Sequence, residues 1–388
     1  MSNPTAEPLE RLLAMDPITA LEAVATPTRR LLSDAGDRVV LVGAGPFGLH
    51  ALSACRDAGL NPVAFADNDK RKTGIEISGL PVMTPAQAVE KFGQTVVYLI
   101  SVYTSEAVWE QMRQLGVSPI SFVRLAWTFP DLLLPYLSID HPAVNAECAD
   151  EIRKMAGLWA DDLSRQEFLA QIQWRTTMSP EVLGGHAPAV ETLFAPDLIS
   201  LREDESFVDC GAYDGDTLRT YLGLSGGKFR SFAAFEPDSI NFGKLESVVG
   251  NLPLEQRERV HLFPNALGSA PGRIQFDATG TVCSSAGAGS VWVDLVTLDG
   301  TVSGLAPTFI KMDIEGAEPE AIRGAAAVIR EHEPIMAICL YHAARHLWEI
   351  PLLIKEILPS YHLYLRRYSN DSWEQICYAI PSHRILAS

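Results

Sequence analysis

The strongest constraint on this chain is a pattern that occurs twice: an apolar, β-branched run that ends in a glycine-rich turn and passes straight into a helical stretch. The first is Val39-Val40-Leu41-Val42 followed by Gly43-Ala44-Gly45-Pro46-Phe47-Gly48. The second is Phe207-Val208-Asp209-Cys210 followed by Gly211-Ala212-Tyr213-Asp214-Gly215-Asp216. Each is succeeded by further strand-like runs separated by helical stretches, the alternation that builds parallel sheets with helices on their faces. The expected fold class is α/β, with two doubly wound Rossmann-like domains, and 388 residues exceed what one hydrophobic core usually organises.

The boundaries follow from changes of periodicity. Residues 1–36 carry Leu9, Leu12, Leu13, Ile18 and Leu21 at roughly helical spacing, with Pro27 expected to break the helix. Residues 37–145 form the first alternating series, with strands at 38–42, 62–66 and 95–101 and a helix at 105–115. Residues 146–199 show helical periodicity without strand signal and read as a helical connector. Residues 200–388 hold seven candidate strands, at 207–210, 231–235, 260–263, 308–312, 335–340, 361–366 and 375–380. The segment 268–298 reads as irregular, and its small residues at 283–290 as a mobile loop.

Composition narrows the partners. Acidic residues number 48 against 31 basic ones, a net charge of −17, which would repel a polyphosphate backbone and argues against nucleic acid. No apolar run is long enough to enter a bilayer, and the acidic start of the chain does not look like a signal peptide, so a cytoplasmic location is expected. Cys55, Cys148, Cys210, Cys283, Cys339 and Cys377 lack paired spacing and read as reduced thiols.

Functional chemistry concentrates at strand ends of the C-terminal series. Asp209, at the end of the first strand, can hold an ammonium group, and Gly211 and Gly215 can bring backbone close to a ligand. The next strand ends in Phe235-Glu236-Pro237, placing a carboxylate at the distance from the turn where acids accept hydrogen bonds from ribose hydroxyls. The third runs into Pro264-Asn265-Ala266, a small polar turn suited to a base edge. The fourth delivers Lys311-Met312-Asp313-Ile314-Glu315-Gly316-Ala317-Glu318, in which strand alternation puts Asp313 and Glu315 on one side. Glu318 and Glu320 read as helix-capping acids, and His342, at the end of the fifth strand, faces the same cleft as Asp313.

These motifs, together with Leu298-Asp299, Tyr341-His342 and Leu347-Trp348-Glu349-Ile350-Pro351, resemble the FkbM family of S-adenosylmethionine-dependent methyltransferases over about residues 200–385. The connector residues Asp161-Asp162-Leu163-Ser164-Arg165 and Trp174-Arg175 resemble the segment preceding that domain in longer members. The resemblance implies a seven-stranded class I methyltransferase sheet with an antiparallel last strand. It also implies S-adenosyl-L-methionine along the first three strand ends, contacting Asp209, Gly211, Ala212, Tyr213, Gly215, Asp216, Glu236, Pro237, Asn265 and Ala266. The reaction implied is O-methylation of a sugar, glycan or natural-product hydroxyl. The Ala343-Ala344-Arg345-His346 stretch departs from the charged sequence that often follows Tyr-His in the family, which puts the acceptor side of the pocket in question. In this reading His342 is the first choice of proton acceptor, oriented by Asp313 or Glu315, because an alcohol is a poor nucleophile while protonated. A divalent metal held by Asp313, Glu315 and His342 is the rival arrangement.

The N-terminal turn has the spacing Gly43-x-Gly45-x-x-Gly48 with Asp67 at the end of the next strand, the dinucleotide fingerprint. The continuation 65–70, with Gly74 and Gly79-Leu80-Pro81-Val82, is similar to the nucleotide-sugar-binding domains of sugar O-acyltransferases. A nucleotide or nucleotide-sugar site, a nicotinamide oxidoreductase, a ligand-free domain serving self-association, and a non-catalytic cofactor-binding protein stand as alternatives. Against the oxidoreductase, residues 60–145 hold no Tyr-x-x-x-Lys pair or His-Asp constellation for hydride transfer.

Overall fold

The structure, a computed structural model, describes residues 5–103, 106–179, 182–183, 192–277, 285–286, 291–369 and 372–386. The chain divides into two compact units, the first made of Met1–Ala149, Leu169–Gly185 and Ser369–Trp373 and the second of Asp150–Phe168, His186–Tyr368 and Glu374–Ser388. The helical stretch after residue 146 resolves into Ala143–Glu147, Ala149–Ala156 and Asp162–Thr177, and the last of these contributes to both units.

The first unit opens with helices Ala6–Leu13 and Pro17–Asp34. Asp16 starts the second helix by accepting the Thr19 N–H at 2.9 Å, with Pro17 at its first position. Pro27 does not break this helix but lies inside it. Proline removes one hydrogen bond there, and packing of Ala20, Leu21, Ala25 and Leu32 into the interior keeps the helix continuous. The strands are β1 Arg38–Val42, β2 Asn61–Ala66, β3 Glu76–Ile77, β4 Leu80–Met83, β5 Val97–Ile100 and β6 Ile120–Ser121, in the order β3-β4-β2-β1-β5-β6. All pairs are parallel except β3 with β4. Because both faces are covered, Val39 and Leu41 enter one core and Val40 and Val42 the other, which is why β1 reads as an unbroken apolar run.

The second unit contains β7 Ser206–Cys210, β8 Ser231–Phe235, β9 Val260–Phe263, β10 Ala266–Leu267, β11 Gly272–Asp277, β12 Ser285–Ala286, β13 Val291–Val296, β14 Phe309–Met312, β15 Ile335–Cys339, β16 His362–Arg367 and β17 Gln375–Ile380. Seven of them form one sheet, β16-β17-β15-β14-β7-β8-β9, in which β17 runs antiparallel to both its neighbours. Phe309, Phe207 and Phe232 lie in register across β14, β7 and β8. Their rings stack at 4.8 and 5.0 Å between centroids, so one aromatic ladder binds the three central strands. Helix Ser239–Gly250 begins at Asp238, whose Oδ1 accepts the N–H groups of Ile240 and Asn241.

The described residues of the segment 268–298 are not irregular. Strands β10, β13, β11 and β12 form a second sheet, with Ile274 opposite Val293 and Phe276 opposite Val291 in antiparallel register. The alternation Arg273-Ile274-Gln275-Phe276 is the period-two pattern of a half-buried strand. Of residues 283–290, only the strand Ser285–Ala286 lies within the described residues. Cys55, Cys148, Cys210, Cys339 and Cys377 are free and buried, and Cys283 lies outside the described residues. No helix among the described residues is long and apolar enough to cross a membrane.

From β7 the chain moves to β8 and β9 on one side, then returns to lay β14 on the other. Such a switch point opens a crevice beyond the carboxyl ends of the strands. Gly211 makes its floor possible: with φ at +84°, a Cβ there would fall 1.9 Å from the Asp313 carbonyl oxygen. Gly211→Ala is therefore expected to destabilise this unit by about 2–5 kcal/mol through backbone strain and overpacking, measured as a lowered urea midpoint with an unchanged slope.

Candidate active site

A crevice opens beyond β7, β8 and β14, with about 160 Å³ of space inside its mouth. Its wall contains Gly211, Tyr213 and Asp216 after β7, Glu236 and Pro237 after β8, and Asn265 and Ala266 after β9, together with Asp313 and Glu315 after β14. These residues, expected from their positions at strand ends, are brought together. Four other expected residues are placed differently. Asp209 is fully buried and stands 3.1 Å from the Lys311 ammonium, so it does not present itself to an incoming amine. Ala212 is buried. Gly215, at φ +86°, takes the left-handed step into helix Asp216–Ser225, and its missing side chain makes room for Leu245 and Val248. His342 is buried, with 1% of its side chain exposed.

Lys311 ties the floor together by donating to the Gly211 carbonyl at 2.6 Å. Burial opposes its charge, yet Asp209 and Asp313 hold its pKa above the ordinary lysine value. Burial pushes Asp209 up to about 6 against the pull of Lys311.

Glu236 has both oxygens engaged by backbone, Oε2 accepting the Tyr213 N–H and Oε1 the Asp238 N–H, each at 2.8 Å. Burial nonetheless pushes its pKa up to about 7. The two carboxyls of the β14 turn diverge. Burial works against charge on Asp313, but His342, Lys311 and the Tyr341 hydroxyl, which donates to Oδ1 at 3.0 Å, hold it well below the usual carboxylate range. Burial pushes Glu315 up to about 7, with His342 the chief opposing influence. Tyr213 and Glu315 both adopt positive φ, +47° and +53°, a conformation non-glycine residues rarely hold outside over-determined sites.

His342 lies between carboxylates. Its Nδ1 is 2.8 Å from Glu318 Oε1, and its Nε2 is 3.3 Å from Asp313 Oδ1 and 3.9 Å from Glu315 Oε2. Burial disfavours the imidazolium, but Glu318 and Asp313 overcome it and raise the pKa well above the usual histidine value. The ring expected to serve as proton acceptor is thus buried between carboxylates that favour its protonated form. Glu318, expected to cap its helix, instead accepts the Ile314 N–H at 2.9 Å and pairs with His342. Among the described residues, no group of three or more His, Cys, Asp or Glu side chains is arranged to hold a metal ion.

Sequence reasoning missed Lys311, which reads as one polar residue in an apolar strand, and Ile274, Phe276 and Leu295, which form an apolar wall of the crevice from β11 and β13. The signal for the wall was the period-two alternation at 273–276.

The N-terminal fingerprint residues are otherwise engaged. Asp67 Oδ2 accepts the Ala44 N–H at 2.8 Å and pairs with Lys72 at 3.1 Å, and Oδ1 accepts the Asp69 N–H. This carboxylate therefore closes its own turn. A Cβ at Gly43 would fall 2.7 Å from the Ser101 carbonyl oxygen, and one at Gly48 2.1 Å from that of Gly43, whereas Gly45 faces open space. The first and third glycines are thus required by packing of helix Pro46–Asp57 against the sheet.

The strand order with its antiparallel last strand and a crevice at the switch point defines a Rossmann-like transferase fold. Residues 209–369 match the family described as Methyltransferase FkbM domain. The crystal structure of Methyltransferase FkbM from Methylobacillus flagellatus KT is similar at 25% identity and a TM-score of 0.74, covering 94% of this chain and 100% of that one. UDP-D-quinovosamine 4-dehydrogenase from Vibrio fischeri, at 22% identity and a TM-score of 0.19, covers 22% of this chain and 75% of its own. A putative rRNA methylase from Clostridium thermocellum, at 11% identity and a TM-score of 0.31, covers 49% and 91%. Both are too remote to bear on function. No curated protein matches the chain in sequence. The match and the likeness together support a methyltransferase, its domain matched at residues 209–369.

The raised pKa of Glu315 carries a sign that can be tested. The folded state binds this proton more tightly than the unfolded chain does. Its contribution to stability is therefore present below the ordinary value of 4.5 and lost as pH rises to about 7. Glu315→Gln should leave stability unchanged at low pH and raise it by about 2–3 kcal/mol above pH 8, read from urea unfolding at the two ends of the range.

Proposed function

We propose that this crevice transfers a methyl group from S-adenosylmethionine to a hydroxyl oxygen of a sugar, glycan or natural-product acceptor. One observation carries the reading: Asp313 and Glu315, after β14, stand in the same wall as Glu236 and Asn265, after β8 and β9. The donor set suits the cofactor. Glu236, buried except toward the crevice, keeps lone pairs beyond its two backbone bonds for ribose hydroxyls. Asn265 and Ala266, beside the apolar Ile274, Phe276 and Leu295, suit a flat base. Asp216 takes the place expected of Asp209 as the carboxylate near an ammonium, and the acidic lining favours a cationic donor.

When bound, the donor supplies a methyl group on a positively charged sulfur that leaves as a neutral thioether. The chain's own task is positioning and proton transfer. Glu315 accepts the hydroxyl proton as the oxygen gains its new bond to carbon, a contribution of about 10²–10⁴ in rate. Asp313, ionised and held by Tyr341 and His342, orients the acceptor hydroxyl toward Glu315. Neighbouring carboxyls driven apart in pKa divide the roles of charged support and titrating base.

Two measurements test this. Glu236→Ala should weaken binding of the demethylated cofactor by about 1.5–3 kcal/mol, and unchanged calorimetric affinity in a folded variant would remove Glu236 from the cofactor site. Glu315→Gln should lower turnover by about 10² or more while cofactor affinity holds. Wild-type turnover in that variant would end the assignment of Glu315 as base.

A further inference from the structure

Glu318 has no exposed side-chain surface, yet no bond at the start of its own helix accounts for it. Residue 317 occupies the cap position and no side chain caps the helix there. A single oxygen of Glu318, Oε1, accepts the Ile314 N–H at 2.9 Å, stands 3.5 Å from the Gly316 N–H and lies 2.8 Å from His342 Nδ1. It therefore spans the turn 314–316 from within and fastens it to the residues following β15. That turn holds Glu315 at φ +53° and Gly316 at φ +102°, and a left-handed glutamate persists only where its surroundings over-determine it. On the far side of the ring, His342 Nε2 meets Asp313 and Glu315. The second oxygen of Glu318 lies 3.4 Å from His346 Nδ1.

We propose that Glu318 is the positioning residue of this site, bracing the strained turn that aims Glu315 into the crevice and holding the His342 ring beside it. The proposal rests on the reading of Glu315 as proton acceptor. Four charged groups face Glu315: His342, Asp313, Glu318 and Lys311. His342 is the favourable neighbour at 3.9 Å, and its own charge depends first on Glu318. Removing the Glu318 charge weakens the hold on the His342 proton, and the loss of His342, the largest favourable charge on Glu315, outweighs the loss of Glu318, a smaller opposing one. The proton affinity of Glu315 then rises.

The test uses Glu318→Gln, which keeps an oxygen for the Ile314 N–H while removing the charge, in the full-length chain. Turnover should fall by roughly 10- to 100-fold. The acid limb of its pH profile should move up by about one pH unit, and affinity for the demethylated cofactor should stay within about twofold. A purely structural role would shift none of the pH profile. Should Glu318→Gln fail to fold, Glu318→Asp keeps the charge but shortens the brace. It should lower turnover with the acid limb in place, and wild-type turnover in that variant overturns the proposal. Unchanged turnover and pH profile in a folded Glu318→Gln protein overturn it too, as does a loss of turnover matched by equal loss of cofactor affinity. Glu315→Gln measured in parallel separates the two ideas: an inactive Glu315→Gln beside a wild-type-like Glu318→Gln rejects the brace alone, whereas an active Glu315→Gln rejects the base.

Discussion

A single buried ammonium organises the catalytic half of this protein. Lys311, at the end of β14, donates to the Gly211 carbonyl and neutralises Asp209 at the end of β7, so the two strands flanking the switch point finish together. Taking two charges out of water costs several kcal/mol per ion unless geometry and further hydrogen bonds compensate. Here the compensation includes the Gly211 carbonyl and the influence of Asp313 beyond it. The glycine at 211 belongs to the same device, since only a residue without a side chain allows the Asp313 carbonyl to approach. The crevice exists because these strand ends are tied at one level.

Around that clamp, burial acts with opposite outcomes on similar groups. Asp313 and Glu315 are two residues apart, yet Asp313 is surrounded by His342, Lys311 and the Tyr341 hydroxyl, while Glu315 has His342 at longer range and a weaker pull from Lys311, opposed by Asp313 and Glu318. One carboxyl is held charged and the other titrates near neutrality. Their difference comes from packing, since the local sequence treats them as equivalent members of an alternating strand end. His342 supplies charge to both and is itself held by Glu318, so the acidity of the β14 turn is structural and chemical at once.

The legible and illegible parts of the site divide along one line. Strand ends, glycine turns and their carboxylates were readable because each is a local pattern: Glu236, Asn265, Asp313 and Glu315 line the crevice at the ends of the strands that carried them. What failed was orientation. Asp209 resembled an amine partner but faces Lys311, His342 resembled an open base but is wedged between carboxylates, and Glu318 resembled a cap but turns to the neighbouring strand end. Each of these depends on a partner 24 or more residues away in sequence, beyond the reach of any periodicity argument. Strands β11 and β13 were missed for a different reason, because a small-residue stretch drew attention from the alternation at their flanks.

By itself, then, the amino-acid order determined the two alternating series of apolar runs, the two glycine turns and the acidic strand ends, because these follow from backbone preferences and burial of alternate faces. Tertiary structure alone decided which acid carries a proton at neutral pH, which histidine nitrogen meets which carboxylate, and that Asp67 closes its own turn. The physical reason is that proton affinity is set by desolvation and by charges brought within a few ångströms, and only the folded chain brings Lys311, His342 and Glu318 to those distances.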